Sequence, residues 1–142
     1  MILLWVLLLV VNAYLIRTTR EPEKLIAVRE KYTTLRDHLK ETGKFPMLHE
    51  PMPITAYHRM WDGSLGFNVN KGFELGVCID GEVNQIFHIL LHELAHCTVD
   101  EYDHSDEYWE NYIELRDIAI AIGIYEKIPE RTKFCGKDVQ DR

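Results

Sequence analysis

The pentapeptide His92-Glu93-Leu94-Ala95-His96 sits inside a long apolar run, and no other stretch constrains the fold as much. If residues 82–99 form one helix, His92 and His96 lie one turn apart and project from the same face. Zinc takes imidazole nitrogens at about 2.0–2.1 Å in tetrahedral array, and an i, i+4 pair supplies two of them. Glu93 then stands beside any water filling an open coordination position. Val83, Ile86, Phe87, Leu90, Leu91 and Leu94 make the helix apolar over a wide face, which predicts the buried centre of a domain. Asp80 is a good N-cap for it by residue type. His88 extends the i, i+4 row, but three successive turns of about 5.4 Å each span too much length to converge on one ion. It reads as a packed or supporting residue.

A third ligand must come from elsewhere. Residues 100–104 break the helix and a second helix is predicted from about Ser105 to Gly123, so a chain reversal could return His104 to the metal. Asp103, Asp106 and Glu110 are the carboxylate alternatives, in an acidic run that otherwise reads as a solvated face. His38, His49 and His58 read as surface histidines.

At 142 residues the chain is one domain. Its formal charge of −7 opposes a broad DNA or RNA footprint, which needs clustered Lys and Arg. Cys78, Cys97 and Cys135 are an odd set at wide spacing with no C-x-x-C, which fits a reducing compartment better than a disulfide framework.

Residues 1–16 are apolar apart from Asn12 and span about 24 Å as a helix. They read as a single-pass membrane anchor; a signal peptide cut after Ala13 and a buried helix are the alternatives. Arg17, Arg20 and Lys24 follow directly, which places the main domain on the cytoplasmic side. Residues 17–44 hold an amphipathic helix over 22–42, with Pro22 at its first position, Gly43 at its stop and a stripe of Leu25, Val28, Tyr32, Leu35 and Leu39.

The main domain is assigned to residues 45–128. Ile54–Met60 is a candidate short strand. Leu65–Val69 and Phe73–Ile79 read as a hairpin about Asn70-Lys71-Gly72. The second strand alternates like a half-buried one; it either pairs with an extended peptide at a free edge or only packs under the helix. Residues 129–142 read as a polar, irregular tail.

Taken in order, Leu65-Gly-Phe-Asn-Val-Asn-Lys-Gly72, His92-Glu-Leu-Ala-His96, and His104 followed by Tyr108-Trp109 resemble the WLM family of zinc metalloproteases over residues 60–115. That family is related to the SprT/Spartan-type proteases, which act on protein crosslinked to DNA. The resemblance implies a minimal zincin-like α+β domain, with a small antiparallel sheet packed on the central H-E-x-x-H helix behind the apolar N-terminal helix. It also implies Zn2+ held by His92, His96 and His104, Glu93 as catalytic base, and hydrolysis of a protein or peptide substrate. The chain departs from the family in having seven residues between His96 and His104 with no Gly-Pro among them. It has no basic tail or zinc knuckle, so a DNA-linked substrate is not carried over. Short anchored forms of such domains resemble proteins coded by large DNA viruses. The rival expectations are a catalytically inactive, membrane-anchored interaction protein and a structural zinc site completed by Cys97 or Cys135.

Overall fold

A computed structural model describes residues 1–19 and 21–142. The first helix, α1 (Ile2–Thr19), is 18 residues long and has none of them buried. It is long and apolar enough to cross a membrane, and as a helix near the N-terminus it meets the same criteria as a signal sequence. Its polar side chains turn back on the helix: Asn12 Nδ2 donates to the Leu8 carbonyl at 2.8 Å and the Thr19 hydroxyl to that of Leu15 at 2.8 Å. Such self-satisfaction is what an apolar surrounding demands of polar groups.

Helix α2 (Glu23–Thr42) buries the predicted stripe of Leu25, Val28, Tyr32, Leu35 and Leu39 and stops at Gly43, which is left-handed at φ 70°. Pro22 stands at the N-cap rather than inside the first turn. A short 3-10 turn (Pro46–Leu48) leads to three strands, β1 (Ile54–Tyr57), β2 (Gly66–Val69) and β3 (Glu74–Cys78).

The sheet has the order β1-β3-β2, with β3 antiparallel to β2 and parallel to β1. The expected antiparallel sheet is therefore mixed. The tight turn at Asn70, Lys71 and Gly72 (φ 47°, 55° and 102°) sends β3 back between the two outer strands, and its direction alongside β1 follows. A central strand is covered on both faces, so Leu75, Gly76, Val77 and Cys78 are all buried where alternation predicted half-burial. It also has no free edge for a peptide; the free edges belong to β1 and β2.

Helix α3 (Val83–His96) contacts α2, β2, β3 and the fourth helix, α4 (Asp106–Ala121). Ile86, Phe87, Leu90 and Leu91 are fully buried, each contributing about 1.5–3 kcal/mol from the apolar surface it removes from water. The N-cap is Glu82, in a capping box with Gln85, and not Asp80. Asp80 instead accepts from the Arg59 amide at 2.6 Å and pairs with His58 Nδ1 at 2.7 Å, fastening the end of β1 to the start of α3. Helix α4 is capped by the Ser105 hydroxyl, which accepts from the Tyr108 amide at 3.2 Å.

The C-terminal segment overturns two expectations. Residues 129–142 are not irregular: β4 (Thr132–Phe134) and β5 (Lys137–Val139) form an antiparallel hairpin. Its two-residue turn is Cys135-Gly136, both at positive φ (48° and 83°), the conformation that matches strand twist. Cys135 is bonded to Cys78 at the end of β3, with the two Cα atoms 6.6 Å apart, so these cysteines are a disulfide rather than free thiols. That bond removes the argument for a reducing compartment that rested on three free cysteines. Beyond the hairpin, buried Asp141 accepts hydrogen bonds from the Tyr112 hydroxyl at 2.7 Å, the Tyr125 hydroxyl at 2.5 Å and the Ile128 amide at 2.7 Å. The result is an α+β domain whose small sheet and C-terminal hairpin pack about α3, behind an apolar N-terminal helix.

Candidate metal centre

His92 and His96 lie one turn apart near the C-terminal end of α3, with ring centroids 5.1 Å apart. His104 comes from the segment between α3 and α4, and its ring lies 4.9 Å from that of His92 and 4.8 Å from that of His96. One nitrogen from each of the three falls within 4.8 Å of the others. The Nε2 atoms of His92 and His104 are 3.1 Å apart, near the roughly 3.3 Å edge of a tetrahedron with bonds of about 2.0–2.1 Å. A donor set of three imidazoles suits a divalent transition metal. Asp103, Asp106 and Glu110 are not brought into this group. Nor are the cysteines: Cys135 is oxidised, and the Cys97 thiol lies against Asn68 and Met52.

The protonation states favour ligation. Burial, followed by the neighbouring imidazoles, lowers His92 to about 3. Burial and His104 lower His96 to about 4. Both rings are neutral at pH 7, with lone pairs free. Burial alone raises the Glu93 carboxyl to about 7.

Glu93 is set by β2. A Cβ on Gly66 would lie 2.7 Å from Glu93 Oε1 and 2.6 Å from Ile89 Cγ2, so the carboxylate sits where only a bare backbone leaves room. Asn68 Nδ2 donates to the Glu93 carbonyl at 2.8 Å, while Asn68 Oδ1 accepts from the Gly72 amide at 2.8 Å. One side chain thus ties the hairpin turn to the helix. Clefts open on both sides of Glu93: one lined with Asn68, Lys71, His96 and Tyr102, the other with Gly66, His88, His92 and residues 137–140 of the C-terminal hairpin.

Tyr108, wholly buried, packs its ring 5.5, 4.5 and 4.7 Å from those of His92, His96 and His104, forming a wall common to all three. Its hydroxyl donates to the His92 carbonyl at 3.1 Å and is not free to stabilise a reacting oxygen. Trp109 stacks on His104 at 5.5 Å, and the Arg142 guanidinium lies over the Trp109 ring, 3.7 Å from its centroid. Tyr102 is exposed at the cleft with the Lys71 ammonium 4.3 Å from its ring centroid.

His88 is packed, as its spacing implied. Its Nδ1 lies 2.9 Å from the Tyr125 oxygen and 3.2 Å from that of Tyr112. Both hydroxyl hydrogens go to Asp141, so Nδ1 of His88 is left to donate to the two hydroxyl oxygens. Burial pushes the Asp141 carboxyl up, but the donors from His88, Tyr125, Ile128 and Tyr112 together hold it well below the usual carboxylate range.

Sequence reasoning missed Gly66, Asn68, Lys71, Arg142 and Asp141. The first three lie within the Leu65–Gly72 stretch, where Gly66 and Asn68 were read only as strand residues and Lys71 only as part of the turn. Cys135-Gly136 between two short alternating runs was a readable hairpin signal.

No known protein-family profile matches the chain. An uncharacterised protein of Acanthamoeba polyphaga mimivirus is 27% identical over 130 residues, covering 80% of this chain and 65% of that protein. An uncharacterised protein of Invertebrate iridescent virus 6 is 29% identical over 97 residues, covering 62% of this chain and 53% of that one. The chain thus spans less than two thirds of the length of either viral relative. Among solved structures, the metallopeptidase zymogen of Pyrococcus abyssi abylysin superposes with a TM-score of 0.40 at 18% identity, covering 67% of this chain and 97% of that one. That likeness is too low to bear on mechanism.

Proposed function

We propose that this chain is a zinc-dependent endopeptidase of the zincin type, similar to the WLM and SprT-like proteases, held at a membrane by α1. The observation that carries the reading is the convergence of three imidazole nitrogens within 4.8 Å beside a buried glutamate. His92, His96 and His104 would hold the metal through neutral nitrogens. When bound, zinc supplies Lewis-acid chemistry, polarising a carbonyl and making water acidic at neutral pH.

The chain's own residues do the rest. An Oε of Glu93 accepts a proton from the attacking water and returns it to the amine nitrogen as the C–N bond breaks. A carboxyl raised to about 7 exchanges protons in both directions at neutral pH. Tyr108 and Asn68 hold the backbone at positions 92 and 93, so the ligands and the base keep a fixed relation. The free edge of β2 runs past Glu93 and offers an extended peptide backbone hydrogen bonds. The formal charge of −7 gives no support to a DNA-linked substrate.

The test is metal analysis of the full chain in detergent micelles together with digestion of a generic protein by the wild type and by Glu93→Gln. The reading requires one zinc per chain in both proteins and chelator-sensitive cleavage in the wild type alone. Equal cleavage by Glu93→Gln would sink the mechanism.

A further inference from the structure

The cleft on the hairpin side of His92 and Glu93 has an apolar floor from Leu65, Ile89 and Val139 and a cation, Lys137, at its rim. This wall is a fixed part of the domain. The turn of its hairpin is bonded to β3 through Cys78–Cys135, and Asp141, two residues past β5, is held by Tyr112, Tyr125 and Ile128. The Lys137 stem lies over Gly63, where a Cβ would come 3.1 Å from Lys137 Cε.

Lys137 forms none of the ion pairs among the described residues. Asp138, the acid on the same wall, is taken by Lys133 at 2.7 Å. Asp62 feels the Lys137 charge but accepts from the Ser64 amide at 2.9 Å and lies beyond ion-pair distance. The Arg59 guanidinium covers Gly136 in the hairpin turn, where a Cβ would fall 2.5 Å from Arg59 Cζ, and faces a separate cleft with Met60 and Trp61. A cation without a carboxylate partner in the cleft beside Glu93, on a chain of net charge −7, is not accounted for by internal pairing. In a concave site its field draws an anion inward.

We propose that this cleft is a side-chain subsite for an acidic residue beside the cleaved bond, with Lys137 as its specificity-determining residue. The proposal rests on the peptidase reading of the same site and names its substrate class. The methylenes of a glutamate lie on Leu65, Ile89 and Val139, and its carboxylate reaches the Lys137 ammonium at the rim. Glutamate, with its longer stem, fits better than aspartate.

The test uses full-length protein in detergent micelles and two otherwise identical peptide mixtures of random sequence, one with Glu and one with Gln fixed at the central position. The wild type should cleave the Glu peptide with a kcat/KM about twofold to fivefold above the Gln peptide, the range of an exposed charge pair. The advantage should shrink as salt rises. Lys137→Ala should bring the Glu peptide down to the level of its Gln partner, and Lys137→Glu should reverse the order of the two. In parallel, fluorescence anisotropy reads binding of both peptides to zinc-loaded Glu93→Gln protein. A Lys137-dependent binding gap with no cleavage by the wild type supports the subsite and sinks only the peptidase reading. Equal cleavage and equal binding of the two peptides overturns the subsite and leaves the peptidase reading standing. Neither cleavage nor binding overturns both, and displacement by a single-stranded oligonucleotide but not by acidic peptide overturns the subsite in favour of a nucleic-acid ligand.

Discussion

Reducing the Cys78–Cys135 bond should remove a large share of the domain's stability. The bonded residues are separated by 57 positions, and closing a loop of that length takes about 4 kcal/mol of chain entropy out of the unfolded state. A domain of this size is stable by about 5–15 kcal/mol, so the loss is of the same order as the margin itself. Both cysteines are buried, and the hairpin that Cys135 turns keeps Phe134 in the core, so little slack is left to absorb the change. The assay is thermal unfolding of the full chain in micelles, followed by near-ultraviolet circular dichroism with and without reductant. The reduced protein should melt about 10–20 °C lower. Thiol titration of the unreduced protein should find Cys97 alone. Melting points within about 2 °C of each other, or three reactive thiols in the unreduced chain, would refute the reasoning.

Asp141→Asn should cost about 2–4 kcal/mol, because an amide nitrogen cannot accept from the donors that converge there. The folded carboxyl sits below its ordinary value of 3.8, so its stabilisation is complete above that pH and is lost as pH falls through the lower folded value. Urea midpoints from pH 7 to 3 should show a steeper acid loss in the wild type than in the variant. Gly66→Ala should lower peptide turnover about tenfold or more with zinc content unchanged, since the new methyl displaces the Glu93 carboxylate and not the histidines. His104→Ala should weaken zinc binding, measured by competition with a chromophoric chelator, beyond the about 10–100-fold typical of a supporting residue.

What could be read in advance was local. The stripe of α2, the apolar face of α3 and the hairpin about Asn70-Lys71-Gly72 each follow from a periodicity or a turn signal carried by a few consecutive residues. The proximity of His104 to His96 followed from a short chain reversal. What failed depended on partners distant in sequence. Asp80 has the right chemistry for an N-cap but is taken by His58 and Arg59, which arrive from the end of β1. The half-buried pattern of β3 gave way because Phe67 covers Gly76 and Cys135 covers Cys78, filling the face that alternation left to water.

The sequence by itself determined the helix that carries His92, Glu93 and His96, because a 3.6-residue repeat fixes which side chains share a face. It also determined an apolar N-terminal helix and a turn-linked pair of strands. The tertiary structure decided the rest. It set the parallel run of β1 against β3, the burial that brings Glu93 to about 7, and the disulfide and Asp141 cage that make residues 137–140 a wall of the cleft. Each depends on which surfaces meet. Segments such as β3 and residues 132–139 are short and locally ambiguous, and they acquire one conformation only when a distant cysteine or pair of tyrosines closes on them.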